Sequence, residues 1–259
     1  MKKSKIAVLV AMVVVLAFSL AACGGSDKSS SDKTVYKVGT EPTFPPFDTT
    51  DEDQNIVGLD MDLIKAIGED QDFDVEFENL SFDGLIPALK AGNIDIVAAG
   101  MNKDDEDRQK EVDFSDSYYE SKLFVAVTED NTTIKSVEDL TPDMKVAAQT
   151  GTTGASKVKE LKDAGKIKEA VILDGLDTCM MKLINGDVSA VINDKPVTEA
   201  YMKKQPDKIK MVGEALNAEN YGFAVQKGNA ELVEKINNGL KHIKENGTYD
   251  KLVDEWFNK

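Results

Sequence analysis

The sequence predicts an α/β protein with largely parallel sheets, and three observations support this fold class. Short apolar strands alternate with amphipathic helices along most of the chain, the order typical of parallel sheets. A similar nine-residue stretch occurs at 89–97 and at 183–191, each time as a helix end, a glycine stop and a strand. The 259 residues are 41% apolar and 30% charged, which suits one large or two medium-sized globular domains.

The elements follow one another with distinct local signals. Residues 35–40 predict a first strand, and the prolines after it exclude regular structure. Leu59, Leu63 and Ile67 then fall on one helical face, and Asp60 is the predicted N-cap of that helix. The later predicted elements are strand 73–77, helix 83–90 with Pro87 confined to its first turn, strand 94–99, strand 145–148, helix 156–164, strand 171–173, helix 178–184, strand 188–192, and a C-terminal helix that Gly247 ends before a last turn capped by Thr248.

The N-terminus reads as a targeting segment. Residues 1–5 are basic, and 6–20 form an uncharged run that is too short for a comfortable transmembrane helix. The Leu-Ala-Ala-Cys tetrapeptide that ends at Cys23 resembles a bacterial lipobox, whose cysteine becomes an acylated N-terminus. The prediction is a signal peptide at 1–22, a lipidated Cys23 and a flexible tether to residue 33. An ordinary signal peptide with an incidental cysteine is the alternative.

The charge excludes one large class of partner. The chain has 31 Lys and Arg against 47 Asp and Glu, a net charge of −16. Removal of 1–22 takes away three lysines and leaves 28 − 47 = −19. Because such a chain repels phosphate backbones, no nucleic-acid partner is expected.

Catalytic and metal-binding signatures are scarce. The single histidine, His242, lies beside an apolar helical stripe and cannot form a multi-His zinc site. No Gly-x-Ser-x-Gly elbow exists, and the glycine-rich segment 151–154 lacks the spacing of a phosphate loop. Residues 51–55 are expected to form a solvated hairpin turn rather than a calcium loop. Residues 104–107 are expected to form a first helical turn with Asp104 as its cap. Cys179 is expected to be a small buried apolar residue. We therefore expect no catalytic residue, no metal and no cofactor.

Polar residues follow the strands of the two similar halves. The register places Gly100 beside Asp194, and Glu41 and Gln149 at corresponding strand exits. Because open α/β sheets bind ligands beyond the carboxyl ends of their strands, two facing halves would gather these four residues in one cleft. The alternative is chance similarity between any two strand–helix units.

The residue types near these exits suit a small zwitterion. The helix opening at Thr152 and Thr153 offers free N–H groups to a carboxylate, and Arg108 adds a bidentate partner. Asp194 balances an ammonium group. The residues expected to assist are Gly100 through its carbonyl, Asn102 through its amide, and Phe44 and Phe82 as apolar walls.

Five motifs in this order resemble the polar amino-acid-binding proteins of ABC transporters, the family 3 extracellular solute-binding proteins. They are GTEPTFPPF at 39–47, FDGLIPAL at 82–89, VDFS at 112–115, QTGTT at 149–153 and ENGTY at 245–249. The resemblance covers about 35–257. It implies a two-lobed type II periplasmic-binding-protein-like fold, with lobe one at 34–117 plus 222–259, hinges at 118–122 and 217–221, and lobe two at 123–216.

The resemblance also implies roles for individual residues. It makes Arg108 and Thr153 the carboxylate partners, Asp194 the ammonium partner and Asn102 a partner of the ligand's main-chain groups. The stretch ending at Arg108 is one residue longer than the family pattern. The expected side-chain pocket consists of Glu41, Phe44, Phe82, Gln149 and Asn193.

The expected function is that of an extracytoplasmic, monomeric lipoprotein that delivers a free polar amino acid to an ABC permease and its ATPase. Lipid alone would attach it to the membrane, at the outer face or in a periplasm. A buried Glu41 beside neutral Gln149 and Asn193 favours arginine or lysine, with glutamine close behind. An amino-acid sensor and, less favoured, a dehydratase-like enzyme are the alternatives.

Overall fold

A computed structural model describes residues 33–258, and Thr34–Lys259 forms one compact unit. The predicted signal peptide, Cys23 and all but the last residue of the tether lie outside the described residues. Within 33–258, none of the helices combines the length and the apolar character needed to cross a membrane.

The first part of the chain builds a five-stranded sheet. Its strand order is β4-β1-β5-β13-β6, in which β1, β4 and β5 are parallel while β13 is antiparallel to both of its neighbours. The elements are β1 (Thr34–Thr40), β2 (Thr49–Thr50), β3 (Ile56–Val57), α1 (Leu59–Gln71), β4 (Phe73–Asn79), α2 (Phe82–Lys90), β5 (Ile96–Val97), α3 (Glu106–Glu111), β6 (Val112–Phe114) and, from the end of the chain, β13 (Ala224–Gln226).

The middle of the chain builds a second sheet. Its main path is β11-β7-β10-β8-β9, with β8, β9 and β10 parallel and β7 antiparallel to both of its neighbours, β10 and β11. The elements are β7 (Tyr119–Thr128), a 3₁₀ turn (Val137–Asp139), β8 (Lys145–Gln149), α4 (Thr153–Asp163), β9 (Glu169–Leu173), α5 (Leu176–Ile184), β10 (Ala190–Asp194), α6 (Lys195–Lys204) and β11 (Ile209–Val212).

Two strands connect the sheets side by side. The start of β7 pairs antiparallel with β12 (Ala218–Tyr221), from Tyr119 opposite Tyr221 to Lys122 opposite Ala218. After β13, the chain ends in α7 (Ala230–Glu245) and α8 (Thr248–Phe257), which pack on α1. We call the part built on the first sheet the first lobe and the part built on the second sheet the second lobe. The predicted residue boundaries of the lobes and hinges stay predictions.

An aromatic cluster surrounds the two connecting strands. The Phe47 ring makes edge contacts with Tyr119 and Tyr221, at centroid distances of 4.9 and 5.0 Å. The Phe257 ring stacks on Tyr119 at 5.3 Å. Because Phe47 belongs to the first lobe and the last helix packs on that lobe, these rings attach both connecting strands to the first lobe.

Some local predictions were wrong. Asp60 does not cap α1, because Gly58 is the N-cap and the Asp60 carboxyl turns into the core. The cap of α3 is Asp105 instead of Asp104, since its side chain accepts the N–H groups of residues 107 and 108. Pro87 lies beyond the first turn of α2. The N-cap of α8 is Gly247 instead of Thr248. Both sheets contain parallel and antiparallel strands, so they are mixed rather than largely parallel.

Other local predictions were confirmed. Residues 51–55 form the turn of the β2–β3 hairpin, where the Asp51 carboxylate accepts N–H groups from Asp53 and Asn55. Cys179 is a free, buried thiol, and burial raises its pKa to about 12.

Candidate functional site

Strand ends from the two lobes meet at Glu41 and Gln149. Glu41 follows β1 and Gln149 ends β8, and Gln149 Nε2 donates to Glu41 Oε2 at 2.7 Å. Thr43 Oγ1 donates to the same carboxylate oxygen at 2.8 Å. Burial raises the pKa of Glu41, while the two hydrogen bonds oppose that shift. The structure thus brings together the two strand exits that the repeated sequence pattern matched.

Arg108 lies buried between the lobes without a carboxylate partner. It comes from α3, whose capped first turn fixes the side chain's origin. The guanidinium donates to the Asn102 carbonyl at 3.2 Å and, across the lobes, to the Gly151 carbonyl at 2.9 Å. Its centre lies 5.3 Å from the Phe82 ring centroid. Among residues 33–258 it forms no ion pair within 4.0 Å, so a buried positive charge is left for an anion.

The N-terminus of α4 adjoins this guanidinium. Thr152 is the N-cap: its hydroxyl accepts the Ala155 N–H at 3.0 Å and donates to the Gln149 carbonyl at 2.8 Å. Thr153 is the first helical residue, and its main-chain N–H belongs to the positive end of the helix dipole. A cation beside a helix N-terminus is an arrangement suited to a carboxylate.

Asp194 lies among acidic and hydroxyl groups, in contrast to the positive surroundings at Arg108 and the α4 N-terminus. It ends β10, is fully enclosed, and its Oδ1 accepts hydrogen bonds from Tyr221 Oη at 2.5 Å and Ser121 Oγ at 2.9 Å. Glu219, which is also buried, lies opposite Ser121 in the β7–β12 ladder. Burial, and next the charge of Glu219, raise the pKa of Asp194 well above its ordinary value. Burial lowers the pKa of Arg108, while Asp105, Glu219 and Asp194 oppose that shift.

The remaining predicted residues take structural contacts of their own. Gly100 has a φ of +53° and donates its N–H to Asp60, and a Cβ there would lie 2.6 Å from the Phe44 ring. Asn102 Oδ1 accepts main-chain N–H groups from residues 104 and 220. Asn193 Nδ2 is held by Thr198 Oγ1 at 3.2 Å, on the second lobe's own helix α6. Contact of these residues, or of Thr153, Phe44 and Phe82, with a ligand stays a prediction.

The sequence reasoning missed four residues around this site. Glu219 and Tyr221 both face Asp194, and their spacing of two along a strand is the signal that would have paired them. Ser121 lies opposite Glu219 in the β7–β12 ladder. Asp177, near the start of α5, raises the pKa of Glu41 through its charge.

Residues 33–258 contain no group of three or more His, Cys, Asp or Glu side chains arranged to hold a metal ion. His242 is half-exposed and bonds to Asp70, with Nδ1 2.8 Å from Oδ2.

The family model of bacterial extracellular solute-binding proteins, family 3, matches residues 36–259. The chain belongs to this family. Among curated proteins, this solute-binding protein is 34% identical to a probable histidine-binding protein of Neisseria gonorrhoeae, over 94% of this chain and 92% of the relative. It is also 34% identical to a putative ABC transporter arginine-binding protein 2 of Escherichia coli strain K12, over the full length of both.

Solved structures agree with the two-lobed fold of this solute-binding protein. An ancestral arginine-binding protein bound to arginine superposes with a TM-score of 0.82 at 44% identity, covering 87% of this chain and 99% of the other. An ancestral arginine-binding protein bound to glutamine superposes with a TM-score of 0.80 at 45% identity, covering 88% and 99%. The predicted family and fold class are therefore confirmed.

Proposed function

We propose that this solute-binding protein captures a cationic L-amino acid, arginine first, between its two lobes and delivers it to an ABC importer. The observation that carries the proposal is the buried, unpaired guanidinium of Arg108 on one side and the buried acid Asp194 on the other. A free amino acid supplies both missing partners, because its carboxylate complements the first and its ammonium the second.

The side-chain end of the site favours a positive charge. Glu41 is enclosed, and the charge of Asp177 adds to its negative potential. Gln149 Nε2 and Thr43 Oγ1 are neutral donors, so neither cancels the charge of Glu41. A guanidinium or ammonium group at the end of the ligand's side chain would neutralise the charge of Glu41, and a glutamine amide would neutralise it less completely.

The names of the relatives support the same ligand class. Arginine and histidine binding are named for curated relatives, and both arginine and glutamine appear in the related ancestral structures. We propose arginine as the preferred ligand and glutamine as a weaker one. Exposed Asp177 contributes less than Glu41, since solvent screens its charge.

Delivery to a permease and lipid attachment belong to the same proposal. The family works outside the cytoplasm, as its description as extracellular states. We propose that acylated Cys23 attaches the chain to the membrane and that 23–33 is its tether. Mass spectrometry of the chain made in a bacterium should find lipid on Cys23, and a Cys23→Ser variant should leave the membrane fraction. An unmodified Cys23 in the membrane-bound chain contradicts the anchor alone.

The ligand is tested by thermal unfolding of the mature chain, residues 23–259, against all common amino acids. A ligand at a hundred times its dissociation constant adds about 2.7 kcal/mol of stability. We expect the largest shift with L-arginine, a smaller one with glutamine and none with aspartate or glutamate. Agmatine, which lacks the carboxylate, serves as the matched control and should give little shift. Failure of every amino acid to raise the melting temperature contradicts the proposal.

A further inference from the structure

Glu219 is a buried acid to which the sequence analysis gave no role. It lies on β12, directly opposite Ser121 in the β7–β12 ladder, and is only 2% exposed. Asn217 Nδ2 donates to its Oε1 at 3.0 Å, which fixes the side chain. Its position on a connecting strand between the lobes puts this acid inside the site rather than on the surface.

Glu219 and Asp194 form a carboxyl pair. Both acids are buried beside the same two hydroxyls: Ser121, which lies opposite Glu219 in the β7–β12 ladder, and Tyr221, two residues along β12, both donate to Asp194 Oδ1. Two carboxyl groups this close, away from water, cannot both carry a negative charge without strong repulsion. A shared proton is one way to relieve such repulsion, and a bound cation is another.

The charged groups near the pair do not balance the negative charge that two ionised carboxyls would carry. Burial lowers the pKa of Arg108 on α3, and the charges of both acids, and more strongly that of Asp105, oppose this shift. Tyr221, from β12, faces Asp194 as a neutral hydroxyl whose own pKa is raised by burial. Lys195, next along the chain at the start of α6, pairs instead with Glu199 at 3.5 Å. Arg108 acts on the two acids only at longer range, since no ion pair within 4.0 Å joins it to either of them among residues 33–258.

We propose that Glu219 is the second carboxyl of the ammonium subsite, and that the Asp194–Glu219 pair exchanges its proton for the α-ammonium of the bound amino acid. The proton leaves a carboxyl oxygen of the pair and passes to solvent, while the ammonium takes its place between the two carboxylates. This inference rests on the proposed amino-acid binding and adds a proton to its equilibrium.

A consequence for affinity follows from this exchange. Below the pKa at which the free pair gives up its proton, each molecule bound must displace one proton. The affinity then falls about tenfold for each unit by which the pH decreases. A ligand without an α-amino group offers nothing that can replace the proton.

The test counts protons by isothermal titration calorimetry. L-Arginine is titrated into the mature chain in buffers of different ionisation enthalpy, from about pH 5 to about pH 8. We expect the wild type to release close to one proton per arginine at the most responsive pH. Glu219→Gln should release fewer protons, because the charge of Glu219 is the second cause, after burial, that raises the pKa of Asp194. Glu120→Gln, an exposed acid on the adjacent strand β7, is the matched control and should behave like wild type.

A second ligand makes the test independent of any variant. Des-amino-arginine, the analogue without the α-amino group, should bind wild type weakly and release no proton. Arginine binding without proton release, or equal release by wild type and Glu219→Gln, overturns the inference and leaves the proposed ligand standing. Absence of any arginine binding overturns both.

Discussion

Two buried carboxyl pairs of residues 33–258 differ in what surrounds them. In the first lobe, Asp60 accepts hydrogen bonds from Tyr118 Oη at 2.6 Å and from the Gly100 N–H at 2.8 Å, with Asp48 beside it. Near the connecting strands, Asp194 accepts hydrogen bonds from two hydroxyls, with Glu219 beside it. Each pair therefore combines two enclosed acids with a tyrosine hydroxyl.

The difference is the cation. Burial lowers the pKa of the cation Arg108, and the charges of Glu219 and Asp194 oppose this shift. The pKa of Asp48, in contrast, is raised by burial and by two further acids, Asp60 and Glu41. In the first pair, Asp60 accepts the Gly100 N–H and so holds the backbone there. The second belongs to a dipolar site with a guanidinium at the other end. Burial of an acid is thus a weak sign of ligand binding until an unpaired opposite charge is found nearby.

The largest expected effect separates the two pairs by binding. Asp194→Asn should weaken arginine binding by about 2–5 kcal/mol, roughly thirtyfold to several thousandfold, because it removes one partner of a buried charge pair. Asp60→Asn, the matched variant, should leave the affinity within about twofold at neutral pH, since an amide oxygen accepts the same two hydrogen bonds. Calorimetric titration measures both. Equal losses in the two variants would mean that the first pair also serves the ligand.

A smaller effect separates the pairs by stability. Burial raises the pKa of Asp60 to about 7, so the folded chain binds more protons than the unfolded chain above about pH 4. The free energy of unfolding should therefore fall as the pH rises from about 4 through about 7. Asp60→Asn removes one titrating group and should reduce this fall by about 1–3 kcal/mol.

The measurement is urea unfolding of wild type and Asp60→Asn at several pH values, without amino acid. Asp62→Asn is a suitable control, because Asp62 lies on the same helix, is only partly buried and accepts a hydrogen bond from Trp256. Parallel curves for wild type and Asp60→Asn would show that the Asp60 carboxyl is ionised in the folded chain.

The sequence predicted the fold well because α/β order and motif order are local properties. Gln149 and Asp194, predicted at strand exits, do end β8 and β10, whereas the ligand-binding roles of these two residues and of Arg108 stay predictions. It failed at Asp60, where an acid in a helix's first turn is typical of a cap but here reaches across the lobe to Gly100. Glu219 was missed because its importance depends on the pairing of two strands about one hundred residues apart, as in the Glu219–Ser121 register.

The smallest expected effect concerns Glu41, an intermediate case between the two pairs. It is enclosed like Asp60, yet its carboxylate faces the other lobe, where Gln149 donates to it. Glu41→Gln should weaken arginine binding about tenfold and glutamine binding less than threefold, because only the cationic ligand loses a charge partner. Asp177→Asn, which removes an exposed acid near the same end, should change either affinity less than Glu41→Gln changes that for arginine. The measurement is the ratio of the two dissociation constants in each variant. An unchanged ratio in Glu41→Gln would mean that the ligand's cationic end lies elsewhere, and that Glu41 belongs with Asp60 among the acids that only hold the lobes in place.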